Sequence, residues 1–159
     1  RPATTNPVLS DAYKSYVSDL LKLTTKSELF AVEAGSNDGA FIGYLQERGV
    51  KVLGVEPSPN LSKQANDFEI PTVQDYFSLR CAKQIKKDYG EVDIFVANHT
   101  FSNIIDLDDF VGGVKHLLSQ NGVFSMQTHY HLDVIEKNLI ENFIKLILKK
   151  FLIHYFDKI

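Results

Sequence analysis

The chain has 159 residues, 44% of them hydrophobic and 23% charged, with a formal net charge of -3. That length bounds one domain with one real core, and the slight acidity leaves no electrostatic footprint for nucleic acid. The single cysteine, Cys81, excludes an internal disulfide framework and a multi-cysteine zinc centre, and it reads as a packed helix residue.

No N-terminal stretch has the pattern of a signal peptide and no apolar run reaches bilayer length, so a cytoplasmic protein with no membrane contact is expected. Residues 1–9, "RPATTNPVL", carry two prolines and predict an extended lead-in to a single domain over 10–159. A helix is expected from Ser10, with Tyr13, Val17, Leu20 and Leu21 on one face and Ser10 or Asp11 as its cap. Strands and helices then alternate. "ELFAVEAG" reads as strand, "AFIGYLQERG" as helix stopped by Gly49, and "KVLGVE" as strand. "NLSKQANDFE" reads as helix, "PTVQDYF" as a short strand, and "LRCAKQIKKDYG" as helix closed by Gly90. "EVDIFVAN" is a strand, "DLDDFVGGVKHLLSQNG" a helix capped by Asp106 and ended by Asn121-Gly122, and "VFSMQTH" a fifth strand.

Such alternation predicts βαβ units, hence an α/β fold: a Rossmann-like, doubly wound, mainly parallel sheet with helices on both faces, truncated after the fifth strand. From His131 onward the chain is apolar at helical spacing and rich in Ile, Lys and Leu. Two readings stay open for it, and for residues 139–159 above all. It is either a long amphipathic helix packed on the sheet or in a homodimer contact, or a segment in which "FLIHYF" forms a last strand.

In an open α/β sheet, ligands bind beyond the carboxyl ends of the strands. The stretch "VEAGSNDG" sits at such an end, where Glu33 is followed by Gly35, Ser36, Asn37, Asp38 and Gly39. The glycines permit a sharp turn and close approach of a ligand. Dinucleotide cradles use G-x-G-x-x-G to admit a pyrophosphate; here the middle glycine is missing and an aspartate stands where phosphate would be repelled. A nicotinamide-dependent oxidoreductase is therefore the weaker reading. A cationic ligand with an amino group suits Glu33 and Asp38, and S-adenosylmethionine carries a sulfonium and an ammonium without any phosphate.

The second strand ends in Glu56-Pro57-Ser58, about twenty residues past the first glycine, where a carboxylate accepts hydrogen bonds from ribose hydroxyls. At the third strand end Asp75, Tyr76 and Phe77 either bound the adenine or serve as helix cap and ordinary aromatics. Asn98 and His99 end the fourth strand. His99 is either a polar wall of the pocket, and a base, or a half-exposed loop residue. His129 and His131 follow the fifth strand; with Asp133 they form an H-x-H arrangement without an assured third ligand, so no metal is expected. His116 and His154 read as structural.

Taken together, these residues resemble the class I S-adenosylmethionine-dependent methyltransferases, and more narrowly the C-methyltransferases that act on nucleotide-linked keto-deoxysugars. Those enzymes look like "E-I-G-S-N-D-G", "G-V-(D/E)-P", "A-N-N" and "D-L-D-D-F-V-x-G". This chain has Glu33 to Gly39, Gly54 to Pro57, Ala97-Asn98-His99 and Asp106 to Gly113 in those places. The resemblance implies S-adenosylmethionine as cofactor, a small-molecule methyl acceptor, and deprotonation beside a ketone followed by attack of the enolate carbon on the methyl group. It implies a base close to that methyl, for which His99 and His131 are the candidates. The chain departs from the family in lacking a cysteine-rich zinc domain and a C-terminal substrate domain. It also has Asn103 where the family often has histidine, and "LIENFIKLILKKFLIHYF" in place of a "Y-H-E-H-L-S-Y-F" segment. A non-catalytic remnant that binds the cofactor and works through a partner or oligomer is the competing expectation.

Overall fold

The computed structural model describes residues 7–100, 103–129 and 143–149. In chain order they form α1 (Pro7–Leu21), β1 (Phe30–Ala34), α2 (Ala40–Gln46), β2 (Lys51–Val55), α3 (Pro59–Asp67) and β3 (Thr72–Val73). There follow α4 (Leu79–Tyr89), β4 (Val92–Asn98), α5 (Leu107–Leu117), β5 (Leu118–His129) and β6 (Phe143–Lys149). The strands build one six-stranded sheet in the order β3-β2-β1-β4-β5-β6, parallel except for the antiparallel β5–β6 pair. The chain winds outward from β1 through β2 to β3, then crosses to β4 on the other side of β1. The strand order therefore reverses between β1 and β4, and a crevice opens at their carboxyl ends.

Strand alternation sorts the core into two layers. Phe30, Val32 and Ala34 of β1 and Phe95 and Ala97 of β4 pack against Cys81, Ala82 and Ile85 of α4 and Phe110, Val114 and Leu117 of α5. Ala31, Val52, Ile94 and Val96 face the other way, onto Tyr16, Val17 and Leu20 of α1, Phe41, Ile42 and Leu45 of α2, and Ala65 of α3. Helices on both faces of a parallel sheet make the expected doubly wound α/β fold.

Several boundaries differ from expectation. The helix starts at Pro7, inside the stretch expected to be extended; a proline in the first turn lacks only an N–H that has no partner inside the helix. Ser10 is thus not a cap, and its hydroxyl pairs with Tyr44 at 2.7 Å. Strand β3 is only two residues long at the sheet edge, and Asn66 satisfies the outward-facing main-chain groups of Thr72, its amide on the carbonyl at 2.9 Å and its oxygen on the N–H at 3.1 Å. Helix α5 stops at Leu117, before Asn121-Gly122. Its end is fixed by Lys86 Nζ donating to the His116 carbonyl at 2.9 Å, while Leu118 turns extended and pairs with Val92. The sheet also continues past its fifth strand: residues 143–149 form a strand and not a helix. "FLIHYF" and His154 lie outside the described residues. No helix among the described residues is long and apolar enough to cross a membrane.

Two polar nodes lock the layers. Asp93, buried at the amino end of β4, accepts from Lys26, from the Phe30 N–H at 3.2 Å and from Ser119 at 3.0 Å. On the α1 side, the Tyr16 hydroxyl meets that of Ser125 at 2.6 Å inside the core. Burial pushes the Tyr16 phenol up to about 12, against the pull of its bond to Ser125. Tyr16→Phe leaves the fully buried Ser125 hydroxyl unpaired and should cost about 1–3 kcal/mol in urea unfolding. Adding Ser125→Ala to that variant should recover part of the loss, because no orphan then remains.

Candidate functional site

The crevice at the switch point is a cleft of about 490 Å³. Ala34 and Gly35 close it from β1, Val55, Glu56 and Pro57 from β2, Tyr76 and Phe77 from the β3–α4 connection, and Asn98, His99 and Thr100 from β4. Eight of the expected site residues line it: Gly35, Asn37, Glu56, Pro57, Tyr76, Phe77, Asn98 and His99.

The turn after β1 is built on left-handed backbone. Gly35, Asn37 and Gly39 have φ of 69°, 56° and 79°. Glycine is required at 35 twice over, since a Cβ there would stand 2.1 Å from Thr100 Oγ1. At Gly39 a Cβ would meet Ile70 Cδ1 at 2.8 Å. The Gly35 and Ser36 amides donate to the Val55 carbonyl, at 2.8 and 3.3 Å. Asp38 accepts from the Ala40 N–H at 3.1 Å and so braces the start of α2.

Glu56 ties this turn to the next one. It is 7% exposed; Oε2 accepts from the Asn37 N–H and Oε1 from the Ser58 N–H, both at 2.9 Å. Pro57 and Ser58 carry the chain straight into α3, with Ser58 at its N-cap position. The amide of Asn37, which in a phosphate cradle would face the anion, is already occupied by a carboxylate. Both Glu56 oxygens retain a lone pair for a hydroxyl donor.

Beneath the turn lies Glu33, which shares a face with Ala31 and, across the β1–β4 pairing, sits opposite Val96. It is 2% exposed. Oε1 accepts from Asn98 Nδ2 at 3.1 Å, while Oε2, Asn98 Oδ1 and the Ser36 hydroxyl are buried without a partner. Burial raises the Glu33 carboxyl well above its ordinary value of 4.5, with Asp38 and Glu56 adding to the rise. The Asn98 amide and the Ile42 N–H pull the other way and do not prevail. On the same side, Tyr13 of α1 is also raised, by burial and then by Glu33, Asp38 and Tyr44.

Other expectations need correcting. Asp75 does not line the cleft: its carboxylate holds Arg80 Nη2 at 2.8 and 2.6 Å and accepts the Tyr76 N–H at 2.9 Å. Nor does it cap α4, whose N-cap is Ser78, accepting from the Cys81 N–H at 3.1 Å. Tyr76 is a 75% exposed lip, whereas Phe77 packs edge-on against Phe110, their ring centroids 5.2 Å apart. His99 lines the cleft with φ of 54°, its N–H donating to the Gln127 carbonyl at 2.8 Å. His131 lies outside the described residues. Asp106 caps α5 as expected, accepting the Asp109 N–H at 2.9 Å, and its residue also lines the cleft.

Sequence reasoning missed most of the β4–α5 connection: Thr100, Ile104 and Ile105 all line the cleft, together with Asn103. Ile105 is fully exposed at 102%, and with Tyr76 it forms an apolar rim. The available signal was two isoleucines between a strand end and a helix cap, where turn residues are the rule.

The state of Glu33 has a measurable consequence. A carboxyl raised in the folded protein binds a proton that the unfolded chain releases. Stability from this group is therefore full below pH 4.5 and lost as pH rises through the folded value. The slope is at most about 1.4 kcal/mol per pH unit for one group. Urea midpoints measured across pH should show this decline, and Glu33→Gln should flatten it.

Comparison with known proteins agrees with this geometry. The family described as Methyltransferase domain matches residues 32–124, from within β1 into β5. The chain is 30% identical over 107 residues to the C-methyltransferase NovU of Streptomyces niveus, covering 67% of this chain and 26% of that protein. It thus spans about a quarter of that curated relative. Among solved structures, the plantazolicin methyltransferase BpumL, determined with SAH, superposes with a TM-score of 0.64 at 12% identity, over 79% of this chain and 48% of that one. Geranyl diphosphate C-methyltransferase from Streptomyces coelicolor, also determined with S-adenosyl-L-homocysteine, gives 0.59 at 20% identity, over 76% and 46%. At such identities the superpositions speak for the fold, and the domain match speaks for the family. The chain belongs to the class I S-adenosylmethionine-dependent methyltransferases through its methyltransferase domain.

Proposed function

We propose that this chain binds S-adenosylmethionine in the cleft and forms the cofactor-binding part of an enzyme that methylates a carbon of a small acceptor, a nucleotide-linked keto-deoxysugar by resemblance. The observation that carries the cofactor reading is Glu56. Its carboxylate is fixed by two backbone amides at the rim of the crevice, and it uses up the Asn37 N–H that a pyrophosphate would need. With Asp106 across the opening from Glu56, the carboxylates lining the cleft are acidic and favour a cationic ligand. The ribose falls to Glu56, and the adenine to the space between Phe77 and Tyr76.

Carbon as the methylated atom is supported by the likeness to NovU, whose name is that of a C-methyltransferase. In this reading His99 is the base or polar wall nearest the reacting methyl, and His131 is the second candidate. A cytoplasmic setting and a homodimer through the C-terminal apolar segment complete it. A second reading has its own support. The segment that would hold the His-Glu-His set instead reads "LIENFIKLILKKFLIHYF", part of which pairs as β6 on the sheet. On that reading the chain binds the cofactor without turning it over and acts through a partner.

Calorimetric titration with S-adenosylmethionine and S-adenosylhomocysteine, with NAD as control, tests the cofactor reading. Both adenosyl ligands should bind and NAD should not. Glu56→Ala should weaken binding by at least roughly 10- to 100-fold, the worth of one of the two charge-assisted hydrogen bonds from the ribose hydroxyls. Glu56→Gln should fare little better, because its NH2 group would replace one of the two oxygens that each accept from a different backbone N–H. Transfer of labelled methyl to a keto-sugar nucleotide then separates the two readings, since a binder without turnover on any acceptor fits only the second.

A further inference from the structure

Three buried polar atoms around the turn have no partner, and two of them belong to groups already joined by one hydrogen bond: Glu33 Oε2 and Asn98 Oδ1. While Glu33 is ionised, both oxygens can only accept, so neither can satisfy the other. A proton on Oε2 supplies the missing donor: Oε2–H serves Asn98 Oδ1 while Oε1 accepts from Asn98 Nδ2. One proton thereby removes two orphans from a site that is 2% exposed at Glu33.

We propose that in the ligand-free protein Glu33 carries a proton and forms a cyclic acid–amide pair with Asn98, and that binding of the cofactor, through the α-ammonium group that S-adenosylmethionine and S-adenosylhomocysteine share, drives this proton into solvent. The second half rests on the cofactor reading above; the first does not. On binding, the Glu33 O–H bond breaks, its electron pair stays on the carboxylate, and the proton goes to buffer. The carboxylate then faces the cationic ligand, and Asn98 keeps it in place through Nδ2. Asn98 is accordingly a positioning residue.

The surroundings fit a group held neutral until a cation arrives. The charged groups acting on Glu33 are Asp38 from the turn and Glu56 from the end of β2, both acidic. Tyr13 and Tyr16 face it from α1, and burial raises both phenols, so neither ionises near neutral pH. From α2 the neighbouring group is the Ile42 backbone N–H, and from β4 it is the neutral Asn98 carboxamide.

The test combines infrared spectroscopy with calorimetry on the whole chain between about pH 5.5 and 7, below the range of the ligand's α-amino group. The ligand-free protein should show the C=O band of a protonated carboxylic acid, absent in Glu33→Gln and lost on saturation with S-adenosylhomocysteine. Binding heats in buffers of different ionisation enthalpy should report release of about one proton per ligand, with affinity rising about tenfold per pH unit. Histidine side chains titrate in the same range, so Glu33→Gln, which retains His99, is the control and should release no proton from this site. A wild-type pH titration of the band keeps the test independent of how well the variant folds. Absence of the band from ligand-free protein overturns the proposal, whatever the ligand does. A band that persists when the ligand is bound, with no proton release, overturns the coupling. If the band is present and S-adenosylhomocysteine does not bind, the cofactor reading fails and the coupling fails with it, while the acid–amide pair stands.

Discussion

One carboxylate joins the two turns that form the cleft. Glu56 accepts from Asn37 in the turn after β1 and from Ser58 at the start of α3, both at 2.9 Å. Each of those amides lies at a helix approach, where backbone donors lack partners in the helix itself. Glu56 therefore satisfies them, holds Asn37 in its left-handed conformation and fixes the spacing between the first two strand ends. The crossing from β3 to β4 then sets the opposite wall, and the cleft follows from strand order plus this one bridge.

The charge pattern follows from the same arrangement. Glu33 lies on the face shared with α1 and α2, where burial costs its ionised form, and Asp38 and Glu56 add to that cost. Stability alone would favour an apolar residue there. A carboxyl kept under a turn, with unpartnered oxygens around it, is the kind of local conflict that folded proteins retain at working sites. Backbone strain marks the same region: of the three non-glycine residues with positive φ among the described residues, Asn37 and His99 both line the cleft.

The fold was legible because each element carried its own period. Strands β1 and β4 read as short apolar runs, the helices between them showed amphipathic spacing, and Gly49 and Gly90 end α2 and α4 with φ of 81° and 94° as their positions suggest. The cradle was legible because it is local: Gly35, Gly39 and Glu56 are confined to two adjacent strand ends. What failed depended on distant partners. The end of α5 is set by Lys86, thirty residues earlier in the chain. The free edge of β3 is covered by the side chain of Asn66, and Asp75 is turned aside by Arg80. Ile104 and Ile105 have no period, and their one signal, apolar residues where turn residues are the rule, does not say which cavity they border. The segment at 143–149 combines helical spacing with β-branched residues, and pairing with β5 decides it.

The account stands or falls on what Glu56 touches in the ligand-bound protein. A crystal structure of the chain saturated with S-adenosylhomocysteine measures this directly. The prediction is that both ribose hydroxyls donate to Glu56, with the adenine between Tyr76 and Phe77 and the amino acid end over Glu33 and Asn98. A ligand seated elsewhere, or a ribose that leaves Glu56 untouched, would contradict it.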